Sequence, residues 1–283
     1  MNAWRDTSGA GYGISFPSPT PVVKVLLIGL TGIFLVQWLL GLSAPEARFA
    51  LEDWLGLNHA MWFHGPVWLP LWQLVTTALL HGDFGHLFFN AISLYFFGTM
   101  VEGVVGSRRF AWFFGLGVVV ASVTSVVLMQ LVDPLAVSIG ASGGIFAAIA
   151  AAATFRPHAT VILLFVPIPL WLLAVGLALF NLFPAIESLF GRGGGGVDHF
   201  AHLGGALYGF LAVKRGFIWA DLGEGVRRLK REHEARSAAN DEQELDRLLE
   251  RVSRDGIASL SDRERAFLKR MSERKSQGGS GHR

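Results

Sequence analysis

Apolar residues gather into six runs, near 22–41, 84–104, 109–131, 137–155, 159–183 and 198–215, separated by short polar or charged stretches. A helix rising about 1.5 Å per residue needs roughly 20 apolar residues to cross the hydrocarbon of a bilayer, so the pattern predicts six membrane-spanning helices. The first run follows Arg5 and begins at Lys24, with no small-x-small cleavage site after a short apolar core, and reads as a retained signal anchor. Residues 42–75 carry Leu51, Trp54, Leu55, Leu57, Met61, Trp62, Phe63, Trp68, Leu69 and Trp72, an aromatic density suited to an interfacial hairpin at the headgroup level. Beyond residue 215 the pattern changes. Leu245, Leu248, Leu249 and Val252 repeat at helical spacing up to Gly256, and Ser261 with Glu264 makes a capping box ahead of Phe267, Leu268 and Met271. Two short amphipathic helices are expected there, with SQGGSGHR at the end disordered. The expected organisation is an N-terminal segment 1–21, a membrane domain 22–215 and a helical tail 216–283.

Composition agrees with a membrane class: 52% of residues are hydrophobic, 16% are charged and the mean hydropathy is +0.44. The chain has no cysteine, which excludes disulfides, thiolate nucleophiles and cysteine metal ligands. A net charge of +2, with the basic residues flanking spans or in the tail, gives nucleic-acid binding no support. With six spans, Arg5, Lys24, Arg108, Arg109, Arg156, Lys214 and Arg215 fall on one side and only Arg48 and Arg192 on the other. The expectation is a multi-pass protein of the plasma (cytoplasmic) membrane with both termini cytoplasmic.

That topology brings polar residues of three spans to one depth. Ser142, in Gly140-Ala141-Ser142-Gly143-Gly144, is expected one turn into span four; His202, in Ala201-His202-Leu203-Gly204-Gly205, one turn into span six. His86 and Asn90 share a face in the first turns of span two. A serine and a histidine at matched depth suggest nucleophile and general base, with Asn90, His86 and the Ser142 backbone N–H as donors to the oxyanion. The small residues Gly140 and Gly143 leave room for a substrate strand, and Gly205 with Gly209 lets spans four and six approach closely. Blander readings stand beside these. Ser142 can bond back to its own helix, His86 and Asn90 can be interhelical glue, and Asp198 can simply be solvated. His81 reads as a loop tie and Glu102 as a cap or tether. Two other functions compete: a zinc peptidase using three of His81, His86, His199 and His202, and an inactive protein that binds membrane helices through the same small-residue grooves. A transporter fits less well, for want of repeated, interrupted spans.

These motifs resemble the rhomboid family of intramembrane serine proteases. Gly140-Ala141-Ser142-Gly143 is similar to the family's nucleophile motif, Ala201-His202 through Gly205 and Gly209 to its histidine motif, and His81, His86 and Asn90 to its span-two signature, continued by Gly98 and Glu102. The resemblance implies an all-α polytopic membrane protein, a six-transmembrane-helix rhomboid-like bundle with a small helical cytoplasmic tail. It implies a Ser142–His202 dyad needing no cofactor or metal. The substrates implied are single-span or polytopic membrane proteins, cut near the extracytoplasmic end of a helix, with membrane lipids around the site and a cytoplasmic partner for the tail left open. Two positions depart from the pattern: Trp72-Gln73 replaces a Trp-Arg pair, and Phe146 replaces a tyrosine four residues past the serine. Phe146 is expected to keep an aromatic plane for the histidine ring, and neither change removes a reacting group.

Overall fold

The computed structural model describes residues 18–65, 69–163, 166–192, 196–220 and 224–278. Arg5 and Trp68, used above, lie outside the described residues. Contacts divide the chain into two units, one ending at Ala220 and one beginning at Asp221.

In the first unit, α1 (Pro21–Ser43) starts on a proline at a position where the missing N–H costs nothing, and Pro45 opens α2 (Pro45–Leu55) in the same way. A two-residue strand, β1 (Leu57–Asn58), leads to α3 (His59–His64), where the Asn58 side chain accepts from the Met61 N–H as N-cap. After the short α4 (Gln73–Thr76) comes α5 (Phe84–Ser93), capped by Asp83 accepting from His86 N–H at 2.9 Å. A π-helical turn at Leu94–Gly98 joins it to α6 (Thr99–Val105). Gly106, at φ +84°, ends α6 and opens α7 (Ser107–Met129). Strand β2 (Val137–Ser138) pairs antiparallel with β1, Leu57 opposite Ser138, and α8 (Ser142–Phe155) follows. A hairpin of β3 (Thr160–Leu163) and β4 (Val166–Pro169) precedes α9 (Leu170–Leu189), and α10 (His199–Lys214) completes the bundle.

Four stretches are long and apolar enough to cross a membrane: Pro21–Ser43, Phe84–Val105, Ser107–Met129 and Leu170–Leu189; α8 is a shorter apolar helix among the described residues. The protein is a multi-span membrane helix bundle. Two predicted spans start later than hydropathy suggests. Residues 137–141 are extended and turned, because Val137 and Ser138 pair with the loop and Gly140 takes φ +128°. Ser142 is therefore the first residue of its helix, not one turn inside it. Residues 160–163 and 166–169 pair as a hairpin because Pro167 and Pro169, each lacking an N–H and crowding the preceding turn, disfavour a helix and Thr160, Val161 and Ile162 favour extended backbone. Hydropathy alone cannot separate such a strand pair from a buried helix.

Helix α8 forms the centre, with Ala147, Ala148, Ala151 and Ala152 fully buried. Its neighbours are held close by glycine. A Cβ at Gly205 would collide with the Gly143 carbonyl and one at Gly209 with the Ala147 carbonyl, so the two helices step together, one turn for one turn. Gly143 in turn lies against the Ala121 methyl of α7. In lipid, where no hydrophobic force drives helices together, close packing of this kind, with interhelical hydrogen bonds, is what holds them. At the other end of the bundle Glu102 caps α1, accepting from Val22 N–H and Val23 N–H at 3.0 Å each and from the Thr20 hydroxyl at 2.5 Å, the tether expected of it.

The described part of 42–75, residues 42–65 and 69–75, forms a built structure. Leu57 is 1% exposed, while Trp54 and Phe63 are about half exposed and Trp54 packs on Trp72 with ring centroids 4.9 Å apart.

The second unit is a helical hairpin of α11 (Glu224–Asp255) and α12 (Asp262–Gly278). At 32 residues α11 is far longer than the amphipathic stretch read from Leu245–Val252, because the charged residues before it are good helix formers with i,i+4 pairs such as Lys230–Glu234 at 3.8 Å. Leu245, Leu248 and Leu260 are buried, but Leu249 points outward. Gly256 ends α11 at φ +78°, and the capping box forms reciprocally: Ser261 N–H donates to Glu264 at 2.8 Å and Glu264 N–H to the Ser261 hydroxyl at 3.4 Å. The Ser261 N–H and the Ser261 hydroxyl, each donating to the Glu264 carboxylate at 2.8 Å, hold that carboxyl below its usual range, with burial opposing them and Arg251 and Arg247 assisting. Of the SQGGSGHR segment, residues 276–278 continue α12 and 279–283 lie outside the described residues.

Candidate active site

At the end of the bundle where α5, α8 and α10 begin, Ser142 Oγ lies 2.7 Å from His202 Nε2. The serine is the first residue of α8, the histidine one turn into α10, and the register locked by Gly143 against Gly205 sets their separation. Phe146, one turn after Ser142, stacks on the His202 ring with centroids 4.3 Å apart and planes 9° from parallel. Both members of the pair are half-buried.

The turn before Ser142 is held from outside. Gly140 N–H donates to the Thr77 carbonyl at 2.9 Å, and the Thr77 hydroxyl donates to the Ser138 carbonyl at 2.7 Å. Gly140 is required twice, by its φ and because a Cβ there would lie 2.6 Å from His86 Nε2. His86 thus closes over the Gly140 backbone. Asn90 is 6% exposed, and its Nδ2 is 3.0 Å from His81 Nε2. Gln37 of α1 grips the His81 backbone from both sides, accepting from its N–H at 3.1 Å and donating to its carbonyl at 3.4 Å. All nine predicted site residues, Ser142, His202, His86, Asn90, Gly140, Gly143, Phe146, Gly205 and Gly209, therefore lie on or directly against the α8–α10 contact and the turn leading into it.

Asp198 is not simply solvated. It caps α10, accepting from Ala201 N–H at 2.9 Å, and also accepts from the Ser138 hydroxyl at 2.7 Å and from the Ser125 hydroxyl. His59 Nε2 sits 3.3 Å from both serine oxygens. This clasp joins the loop, α7, β2 and α10. Gln73 shows a comparable density of bonds. Fully buried, it accepts from Asn58 N–H at 3.2 Å and Trp62 Nε1 at 3.1 Å, and donates to the Asp53 and Trp54 carbonyls at 3.3 and 3.2 Å. Reading it only as a missing arginine overlooked that a neutral amide offers both a donor and an acceptor here.

Asn181 of α9 escaped the sequence reading. It is 2% exposed, and its Oδ1 lies 2.8 Å from His202 Nδ1 and 2.9 Å from His199 Nδ1. A lone amide in the apolar stretch LALFNLF was the available signal, since a polar group inside a span is costly unless it is partnered. The four histidines considered for zinc split into two pairs, His81 with His86 at 5.0 Å between centroids and His199 with His202 at 6.4 Å. Among the described residues no three His, Asp or Glu are arranged to hold a metal ion.

The family model for the Rhomboid domain matches residues 69–217, and one for a family of unknown function (DUF6576) matches 235–274. The chain is similar to rhomboid protein 1, mitochondrial, of Saccharomyces cerevisiae, 28% identical over 146 residues covering 49% of this chain and 40% of the yeast protein. It is similar to the rhomboid protease GluP of Bacillus subtilis, 31% identical over 145 residues covering 50% and 25%, respectively. The presenilin-associated rhomboid-like protein, mitochondrial, of Rattus norvegicus is 27% identical over 148 residues, 52% of this chain and 39% of the rat protein. The chain thus spans well under half the length of these curated relatives. Because the matched stretch covers more than half of the chain and takes in Ser142, His202, His86, Asn90 and the glycines of the α8–α10 contact, this chain belongs to the rhomboid family of intramembrane proteases.

Proposed function

We propose that the chain is an intramembrane serine endopeptidase working through a Ser142–His202 dyad. The observation that carries the reading is the 2.7 Å contact between Ser142 Oγ and His202 Nε2, made on two helices whose register glycine contacts lock. His202 Nε2 takes the hydroxyl proton as Ser142 Oγ attacks the scissile carbonyl carbon. The carbonyl electrons move onto oxygen, and the tetrahedral adduct collapses when Nε2 returns the proton to the leaving amine nitrogen. Water then attacks the acyl-serine with the same base, releasing the new carboxyl end and restoring Ser142. The cavity beside Ser142, lined by Ser122, Ser138 and Asp198 among others, offers that water polar contacts.

Three sources of hydrogen bonds serve the oxyanion. Helix geometry leaves the first-turn N–H groups of α8 without intrahelical partners, at the positive end of its dipole. His86 Nε2 faces the Gly140 turn, and the Asn90 amide, with one N–H directed at His81, keeps a second N–H to donate.

The proposed topology has six spans with both termini on the cytoplasmic side of the plasma membrane. Lys24, Arg108, Arg109, Arg156, Lys214 and Arg215 against Arg48 and Arg192 support it. Its consequence is a site on the extracytoplasmic side. Helix α8 has 14 residues and so spans about 21 Å, against about 30 Å of hydrocarbon. With its far end at the cytoplasmic face, Ser142 sits about 9 Å beneath the opposite one. Substrates are membrane-anchored proteins cut near the outer end of a helix, where the helix must first unwind; the tail is left to a cytoplasmic partner.

The test is cleavage of a single-span reporter by the purified chain, with a fluorophosphonate as serine label. Ser142→Ala and His202→Ala are expected to abolish cleavage while unfolding at the wild-type temperature, and Ser142→Ala to lose the label. Cleavage retained by Ser142→Ala, or chelator-sensitive cleavage restored by zinc, rules the dyad out.

A further inference from the structure

The chemistry of the dyad uses one nitrogen of His202 and depends on the state of the other. A neutral imidazole carries its proton on Nδ1 or on Nε2, and only the Nδ1–H form has a bare Nε2 able to take the serine proton. In water the two forms interconvert freely. Something in the site has to select one.

Asn181 makes that selection by a closed chain of donors and acceptors. Its Nδ2 lies 2.8 Å from the Leu177 carbonyl oxygen, which can only accept, so the amide is turned with Oδ1 toward the histidines. Oδ1 carries no proton, so His202 Nδ1 at 2.8 Å must be the donor. Nε2 is then bare and accepts the Ser142 hydroxyl at 2.7 Å. His199 Nδ1 donates to the same oxygen at 2.9 Å, using the second lone pair and fixing the amide from another direction. We propose that Asn181 is the positioning residue that holds His202 in its reactive tautomer and ring orientation, so that the pair operates as a Ser142–His202–Asn181 relay. The inference rests on the dyad reading above.

Two observations set this apart from interhelical glue. Asp198, the carboxylate nearest in sequence, is committed to the N-cap of α10 and to two serine hydroxyls, so the position behind Nδ1 is left to the amide. Helix α9 buries only Leu170, Leu173, Asn181 and Ala185, so its one inward polar side chain is spent wholly on the two imidazoles and its own backbone. The choice of amide over carboxylate also has a physical reason. An ionised acid in hydrocarbon carries a heavy desolvation cost, whereas an amide supplies the acceptor without a charge.

The experiment uses the full chain in detergent, with the reporter, the fluorophosphonate and 15N-histidine NMR. Asn181→Leu keeps the volume and removes the acceptor; Asn181→Asp restores an acceptor. Asn181→Leu is expected to lower kcat and the labelling rate about 10- to 1,000-fold with KM nearly unchanged, below the roughly 10,000-fold loss caused by imposing a wrong tautomer. The His202 signal should move from the Nδ1–H form to a tautomer mixture, and Asn181→Asp should bring kcat back to within about tenfold of wild type. Labelling that requires Ser142 but is unchanged in Asn181→Leu overturns the role of Asn181 and leaves the dyad standing. A loss in Asn181→Leu that appears in KM or in unfolding temperature, and that Asn181→Asp does not restore, also overturns it. Wild-type cleavage that does not need Ser142 overturns the reading on which it rests.

Discussion

Helix α8 is enclosed along most of its length, with four alanines fully buried and Gly143 and Gly144 against the side chains of α7, whereas α9 turns Leu179, Phe180 and Phe183 outward and buries four residues. The sequences differ accordingly. SGGIFAAIAAAATF is mostly alanine and glycine, so its neighbours meet its backbone along those faces; LWLLAVGLALFNLFPAIESL is built mainly of large apolar residues suited to lipid. Both helices touch the same histidine, α8 through Phe146 and the Ser142 hydroxyl and α9 through one amide. The reacting group is thus fixed by close packing that tolerates no added atom, and the orientation of its base by a single directional contact from a helix otherwise free of such constraint.

The largest effect should come from breaking the packed side. In Gly205→Val the new Cβ meets the Gly143 carbonyl, a backbone atom that cannot turn aside, and overpacking of this kind costs about 3 kcal/mol or more. Thermal unfolding in detergent should fall sharply and reporter cleavage with it. The matched change on the other side, Leu179→Ala, removes a side chain that is 58% exposed and should leave both within about 0.5 kcal/mol of wild type. Equal losses from the two would show that α8 and α9 are constrained alike, contrary to the contrast drawn here.

That contrast was half legible in the chain. Glycine at 143, 205 and 209 announces close helix contact because only small residues let backbones meet, and Ser142 with His202 stands out because each is costly in an apolar run. The Phe146 stacking was expected from the resemblance, which puts an aromatic ring four residues past the serine. Asn181 was missed although it obeys the same cost argument, because its partners lie 18 and 21 residues away on another helix and no local pattern marks them. The start of α8 was misjudged because hydropathy records burial and not backbone direction, and Gly140 reveals its positive φ only in the turn. Asp198 looked solvated because the serines it binds come from 60 and 73 residues away.

A smaller effect is expected in the loop, whose order rests on Gln73 much as the orientation of His202 rests on Asn181. Gln73→Leu leaves Trp62 Nε1 without its partner and takes one bond from the Asp53 carbonyl, while Asn58 N–H keeps the Gly56 carbonyl and the Trp54 carbonyl keeps the Trp72 indole, so the cost is about 1–3 kcal/mol for each group left unpaired that water cannot reach. The loss should be local. Limited proteolysis between residues 53 and 73 and a red shift of tryptophan emission should appear well below the unfolding temperature of the bundle, while the Ser142 label rate changes less than in Asn181→Leu. Loss of loop and bundle together in one transition would mean that the loop is an integral part of the packed side.

The smallest effect is a pH dependence, and it tests whether the clasp around His59 belongs to the packed side or the directional one. Burial holds the His59 pKa below its usual 6.5, with Asp198 and then Asp133 opposing it, and its Nδ1 is buried without a partner among the described residues. Both serine hydroxyls donate to Asp198, so Nε2 carries the proton, and a second proton on Nδ1 would put a charged N–H where nothing accepts it. Above pH 6.5 the folded and unfolded chains both hold this ring neutral, and it contributes no pH dependence. As pH falls through 6.5 the unfolded chain binds a proton that the folded chain refuses, so stability declines until the lower folded pKa is reached. Unfolding temperature should therefore drop on acidification from pH 7.5 to about 5, and His59→Gln, which titrates nowhere in that range, should flatten the drop. If the slope is unchanged in His59→Gln, the clasp does not sense pH and its four elements are held by packing alone. If the slope vanishes and protease cuts in the loop appear at low pH before the bundle melts, the clasp behaves like the Asn181 contact, a directional bond whose loss frees one element and leaves the α8–α10 pair intact.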